Sequence, residues 1–207
     1  MVSFVELIPE ARTDDSERRL IISDVTWDSY ELILAKLEDN SHYRVTYLDE
    51  TLEIVSPSKK HENVKSRIGF LIEFYFCKKR IKHFSMGSTT VRNRLKQAGA
   101  EPDECYCFDN DEKEIPDLAV EVTITSGSIK KLETYSRLGV KEVWFWKKNK
   151  FSLYHLRGND LQQFAENFGY EEIESSVFVP ELNIEFLAEC ITVRDQVDAW
   201  EQFEQGI

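Results

Sequence analysis

Residues 116–124 read Pro-Asp-Leu-Ala-Val-Glu-Val-Thr-Ile. In an extended chain alternate side chains point to opposite faces, so Leu118, Val120, Val122 and Ile124 form one apolar face while Asp117, Ala119, Glu121 and Thr123 share the other. The spacing predicts a buried strand. Glu121 then stands in mid-strand, where an ionised carboxylate costs free energy unless it is paired or coordinated to a metal. Asp117, at the strand mouth after a proline, reads equally well as a solvated end residue. Four residues of extended chain separate the two acids by roughly 13 Å at ~3.3 Å per residue, too far to share one ion readily.

Downstream, Ser128 is placed to cap a helix running through Leu138, and Gly139 to stop it. Strands at 142–146 and 151–156 follow as a hairpin around 147–150. Upstream, residues 102–108 (Pro-Asp-Glu-Cys-Tyr-Cys-Phe) predict a further strand that leads into the acidic loop 109–114. If these two strands pair around that loop, Asp103 lies beside Glu121. Two carboxylates with a backbone carbonyl and waters suit a hard, oxygen-loving ion such as magnesium or manganese. Strands with an intervening helix predict an α/β fold.

Nearer the N-terminus, Thr26 caps a predicted helix over 26–37, and strands at 43–48 and 52–55 form a hairpin that Ser56-Pro57-Ser58 ends. Over 59–77, Val64, Ile68, Leu71, Ile72 and Tyr75 fall on one helical stripe. His61 lies at the edge of that stripe, either as a core-edge histidine or as a group beside a site, whereas Glu62 and Glu73 lie nearly opposite and face solvent. Residues 84–91 predict a strand and 97–100 a turn. The C-terminal part offers a short strand near Phe178, a segment at 182–186 and a last helix over 192–203. With no repeat or low-complexity linker, one domain over 1–207 is expected.

An apolar content of 42% without any unbroken run of ~18 apolar residues argues against a membrane span. Residues 1–15 lack the basic start and apolar run of an export signal, so a cytoplasmic location is expected, with Cys77, Cys105, Cys107 and Cys190 as reduced thiols. A single C-x-C pair and four scattered histidines do not match the tight ligand spacing of structural zinc. The net charge of -12 disfavours nucleic acid at first sight, but from Lys59 to Lys96 eleven lysines and arginines face two glutamates. That stretch is either a solvated basic face or a surface for the phosphates of DNA. In the strand 142–146, Trp144, Phe145 and Trp146 are assigned to core or dimer packing ahead of base stacking.

Taken in order, Pro102-Asp103, Glu121-Val122-Thr123 and a lysine on the next helix resemble the PD-(D/E)xK nuclease superfamily in the variant whose lysine has migrated. Leu52-Glu53-Ile54-Val55-Ser56-Pro57 with His61 downstream, then 116–122, then Lys131-Leu132-Glu133-Thr134-Tyr135-Ser136-Arg137-Leu138-Gly139 and on to Trp144 resemble the Uma-type family of restriction endonucleases. The resemblance implies a restriction-endonuclease-like α/β core with a central mixed sheet flanked by helices, plus an N-terminal helix and hairpin. It also implies magnesium- or manganese-dependent hydrolysis of DNA, with Asp103 and Glu121 and the Val122 carbonyl as metal ligands and Lys131 as the catalytic lysine. Thr123 occupies the usual lysine position and Lys130 is the fallback. His61, Asp117 and Tyr135 are expected around these ligands, and a homodimer follows from the need to cut two strands. Relatives commonly continue after the glutamate with Leu-Ser-Pro-Ser, where this chain has Thr123-Ile124-Thr125-Ser126-Gly127-Ser128. A degenerate nuclease fold with a binding role, and glycoside hydrolysis by the acid pair, are the competing readings.

Overall fold

A computed structural model describes residues 17–37, 42–110, 113–123, 130–157 and 163–207. Two sheets organise them. The first has five antiparallel strands, β1 (Arg18–Ile22), β2 (Arg44–Leu48), β3 (Thr51–Ser56), β5 (Val91–Asn93) and β6 (Ala98–Ala100), in the order β1-β3-β2-β6-β5. The second is the expected mixed sheet. It holds β4 (His83–Ser85), β7 (Glu104–Phe108), β8 (Leu118–Thr123), β9 (Glu142–Lys147), β10 (Lys150–Leu156) and β11 (Tyr170–Ile173), in the order β11-β10-β9-β8-β7-β4. Among the described strands only β8 and β9 run parallel, joined through the helix α3 (Lys131–Leu138), because a parallel pair needs a crossover.

Both hairpins turn on two residues with positive φ, Asp49 and Glu50 between β2 and β3, Lys148 and Asn149 between β9 and β10. Such mirror-image turns match the strand twist. Gly139 ends α3 at φ 88°, its N–H bonded to the carbonyls of Tyr135 and Ser136, as its position in the sequence predicts.

The faces of β8 separate as their alternation requires. Leu118, Val120 and Val122 join Trp144 and Trp146 of β9 in a core covered by α2 (Lys59–Lys79), α4 (Ile184–Thr192) and α5 (Gln196–Gln205). Ala119 faces the other way, towards Tyr135 and Leu138 of α3 and Ala98 and Ala100 of β6. Helix α3 is thus clasped between the sheets. A third core holds α1 (Trp27–Leu37) on the first sheet, where Tyr30 stacks on Tyr47 at 4.7 Å.

Several expectations are corrected. Residues 98–100 are not a turn but the buried strand β6; Gln97 takes the positive-φ turn before it. Small side chains there serve close packing, since a Cβ on Gly99 would stand 2.2 Å from the Tyr30 hydroxyl. The strand expected over 84–91 splits into β4 and β5, which join different sheets, with Gly87 at φ 59° in the passage between them. Phe178 lies outside any strand and stacks on Phe108 at 4.8 Å; the C-terminal strand is β11, at one edge of the second sheet. The segment 182–186 is the start of α4, capped by Asn183, and the last helix begins after Asp195, whose carboxylate accepts from two amides of its first turn. Ile124 and Ser128 lie outside the described residues.

Tyr30 is wholly buried and its ring is held by Trp27 and Tyr47, so it has little room to yield. Gly99→Ala is therefore expected to lower the unfolding free energy by about 1–3 kcal/mol, seen as a reduced urea midpoint with an unchanged slope.

Candidate functional site

The antiparallel register pairs Glu104 with Val120, so one step further on Asp103 lies across from Glu121. Both acids are 2% exposed. Asp103 is held at each oxygen: Oδ2 accepts from the Val122 N–H at 2.7 Å, and Oδ1 lies 3.0 Å from His61 Nε2. Glu121 is held likewise from α3. Lys131 Nζ donates to Oε2 at 2.5 Å and the Tyr135 hydroxyl donates to Oε1. Lys131 and Tyr135 are one helical turn apart, which lets a single helix face grip both oxygens.

His61, in the first turn of α2, bridges two acids, with Nδ1 3.0 Å from Glu17 as well. Burial opposes its charge, but hydrogen bonds to Asp103 and Glu17 push its pKa up to about 9, so it is an imidazolium at neutral pH. Burial would raise the Asp103 carboxyl, yet His61, Lys131 and the Val122 amide hold it below the usual range. Glu121 is raised, first by burial and then by Asp103, against the pull of Lys131. Burial disfavours the Lys131 ammonium, but Glu121, Asp103 and Glu53 together raise its pKa. Asp103, Lys131 and His61 line a cavity of about 420 Å3.

The chain thus brings together Asp103, Glu121, Val122, Lys131, His61 and Tyr135. It does not bring in Asp117, whose Oδ2 accepts from the Phe108 N–H and from Lys113 at the opposite end of β8. That side chain anchors the strand mouth; the order of proline and aspartate in the sequence is silent about which way it turns. Lys130 lies over the Phe168 ring at 5.3 Å, and Thr123 lines the cavity. The Glu62 side chain is 44% exposed, 3.8 Å from Arg44.

Several cations of the basic segment are occupied within the fold. Arg67 donates to the carbonyls of Ile191 and Arg194 at the end of α4, while Lys78, Arg92 and Arg94 pair with Glu204, Glu31 and Asp28. Lys65 donates to Ser88 Oγ, which in turn donates to the Asp103 carbonyl.

Sequence reasoning gave no role to Glu53, Glu17, Arg19 or Arg44. Glu53 is 1% exposed on β3, lines the same cavity and lies 3.6 Å from Arg19; Arg44 Nε is 3.8 Å from Asp103. Glu53 carried a readable signal, a carboxylate between the buried Leu52 and Ile54, the same interruption that marks Glu121. Glu17 carried none, because its partner is 44 residues away.

The donors suit a hard ion. Magnesium is commonly held by one or two carboxylates, the rest of its shell being water and phosphate oxygen. Each carboxylate oxygen offers two acceptor positions, so the hydrogen bonds described leave capacity on Asp103 and Glu121. Among the described residues no group of three or more His, Cys, Asp or Glu is arranged to hold a metal. All four cysteines are free thiols, and Cys105 S–H donates to the Gly87 carbonyl. Nor is any helix among those residues long and apolar enough to cross a membrane.

Residues 27–189 match the family model Uma2, described as "Putative restriction endonuclease". No curated protein matches the chain.

The folded pKa of His61 lies above its ordinary 6.5, so its protonation stabilises the fold fully below pH 6.5 and that contribution is lost as pH rises through about 9. In metal-free buffer, the stability advantage of the native chain over His61→Gln is expected to shrink across this window by at most roughly 3 kcal/mol. Urea unfolding at a series of pH values measures it; a pH-independent difference contradicts the bridged imidazolium.

Proposed function

Because the chain belongs to the Uma2 family of restriction endonucleases, we propose that it hydrolyses DNA phosphodiester bonds at the Asp103, Glu121 and Lys131 cluster. The two carboxylates and the Val122 carbonyl would hold magnesium or manganese there. The observation that carries this reading is the Lys131 ammonium, 2.5 Å from one buried acid and within electrostatic reach of a second across the strand pair. A bound divalent ion would supply an acidified water and stabilise charge developing on the phosphate. Lys131 would orient such a water and offset the negative charge. Tyr135 fixes the rotamer of Glu121, while His61 and the Val122 amide fix Asp103.

DNA approaches through its phosphates, drawn by lysines and arginines of the basic segment Lys59 to Lys96. A pair of copies serves the two strands. One observation favours a second reading, a degenerate fold that binds without turnover: every oxygen of the acid pair already accepts from a protein donor, as in a self-sufficient structural cluster.

Magnesium-dependent nicking of plasmid DNA separates the two. Asp103→Ala and Lys131→Ala are each expected to lower the rate by about 10²–10³-fold, the cost of removing one stabiliser of transition-state charge. Equal rates in native and variant proteins assign the cleavage to a contaminant and leave the second reading.

A further inference from the structure

The strand Trp144-Phe145-Trp146 divides between the two faces of its sheet. Trp144 and Trp146 are 0% and 2% exposed in the core beneath α2 and α4, which matches the packing expected of them. Phe145 points the other way. In the parallel register it lies beside Glu121, with Ser152 of β10 next to it on the far side. The Tyr154 ring meets the Phe145 ring at 5.8 Å and 73°. A third ring arrives from outside the sheet: Phe168 adopts φ 55°, a left-handed conformation rare for an aromatic residue, and its backbone carbonyl accepts from Ser136 Oγ at 2.6 Å.

Phe145, Tyr154 and Phe168 line the same 420 Å3 cavity as Asp103 and Lys131. The cavity is therefore lined both by buried acids and cations and by partly exposed rings, with Lys130 and Lys147 also in its wall. Its volume lies within the roughly 300–1,000 Å3 of small-molecule pockets. Neighbouring strands are spaced by about 4.8 Å, so the rings on β9 and β10 stand about 5–10 Å from the Glu121 strand. That is the reach from a backbone phosphate to the base on the next sugar. Tyr30, Tyr47, Tyr75 and Trp144, by contrast, are almost wholly buried. Phe145, Tyr154 and Phe168 are partly exposed on the cavity that Asp103 and Lys131 also line.

We propose that the aromatic part of this cavity receives an unpaired nucleobase of the strand whose phosphate lies at Asp103 and Lys131, so that the preferred substrate is single-stranded DNA or DNA with an extruded nucleotide. A base still stacked in a duplex is held between its neighbours and is not presented to a pocket in the face of a sheet. Stacking on a ring tolerates any base, so the site selects unpaired structure ahead of sequence. The inference rests on the nuclease reading above for the placement of the phosphate.

The test is binding of a short single-stranded DNA oligonucleotide carrying one 2-aminopurine, without divalent ion, followed by anisotropy and by 2-aminopurine fluorescence. The native chain is expected to bind it at least about tenfold more tightly than the blunt duplex of the same sequence, with a change in 2-aminopurine emission. Phe145→Leu, which keeps apolar volume without a stacking face, and Phe168→Ala are each expected to weaken single-strand binding about tenfold. Phe145→Trp should retain it. Undiminished affinity in Phe145→Leu and Phe168→Ala, or equal affinity for strand and duplex, overturns the proposal. Magnesium-dependent cleavage assayed on the same preparations keeps the two ideas apart. A protein that cleaves but binds single strands equally well without these rings fails this inference alone. One that never cleaves yet loses single-strand affinity with Phe145→Leu fails the nuclease reading alone.

Discussion

Carboxylates are buried where the two sheets meet around α3, and Lys131 is the cation that Glu121, Asp103 and Glu53 have in common. Ionised groups taken out of water are tolerated only when paired and hydrogen-bonded, so the rest of this region is arranged around that requirement. The acids come from β3, β8 and the approach to β7; their compensating groups come from β1, α2 and the first and second turns of α3. No element can shift far without stranding a charge. The same charged network therefore also sets how the first sheet sits against the second.

The position of the lysine follows from this geometry. Thr123 lies on the face of Glu121 and lines the same cavity but has no charge to offer. A lysine at the start of α3 reaches back across the end of β8, and the next turn of the same helix supplies the Tyr135 hydroxyl for the second oxygen. One helix thereby supplies both the cation and the group that orients its partner. It can do so only because Ala119 of β8 and Ala98 and Ala100 of β6 let it lie close between the sheets.

What the sequence disclosed was local. Alternation in β8 determines which side chains reach the core and leaves Glu121 on the face of α3; a short acidic loop places Asp103 across from it; Gly139 marks the end of the helix. What it hid was long-range or concerned packing. Ala98-Gly99-Ala100 looks like a turn because small residues mark turns, yet here they are small because Tyr30 presses on them. The edge strands β1 and β11 earn their extended form only from partners far along the chain. Glu17 could not be placed without knowing that β1 returns to the start of α2, whereas Glu53 could have been, from its apolar neighbours.

The passage from β4 to β5 carries a mechanical consequence. This short stretch is one place where the chain leaves one sheet for the other, and its Ser88 hydroxyl is tied on one side to Lys65 and on the other to the backbone of Asp103. Asp103 itself lies in the next crossing, 101–103 between β6 and β7, so movement of one sheet against the other displaces the acid. Shear at the sheet interface and the aim of the acid are geared to one another.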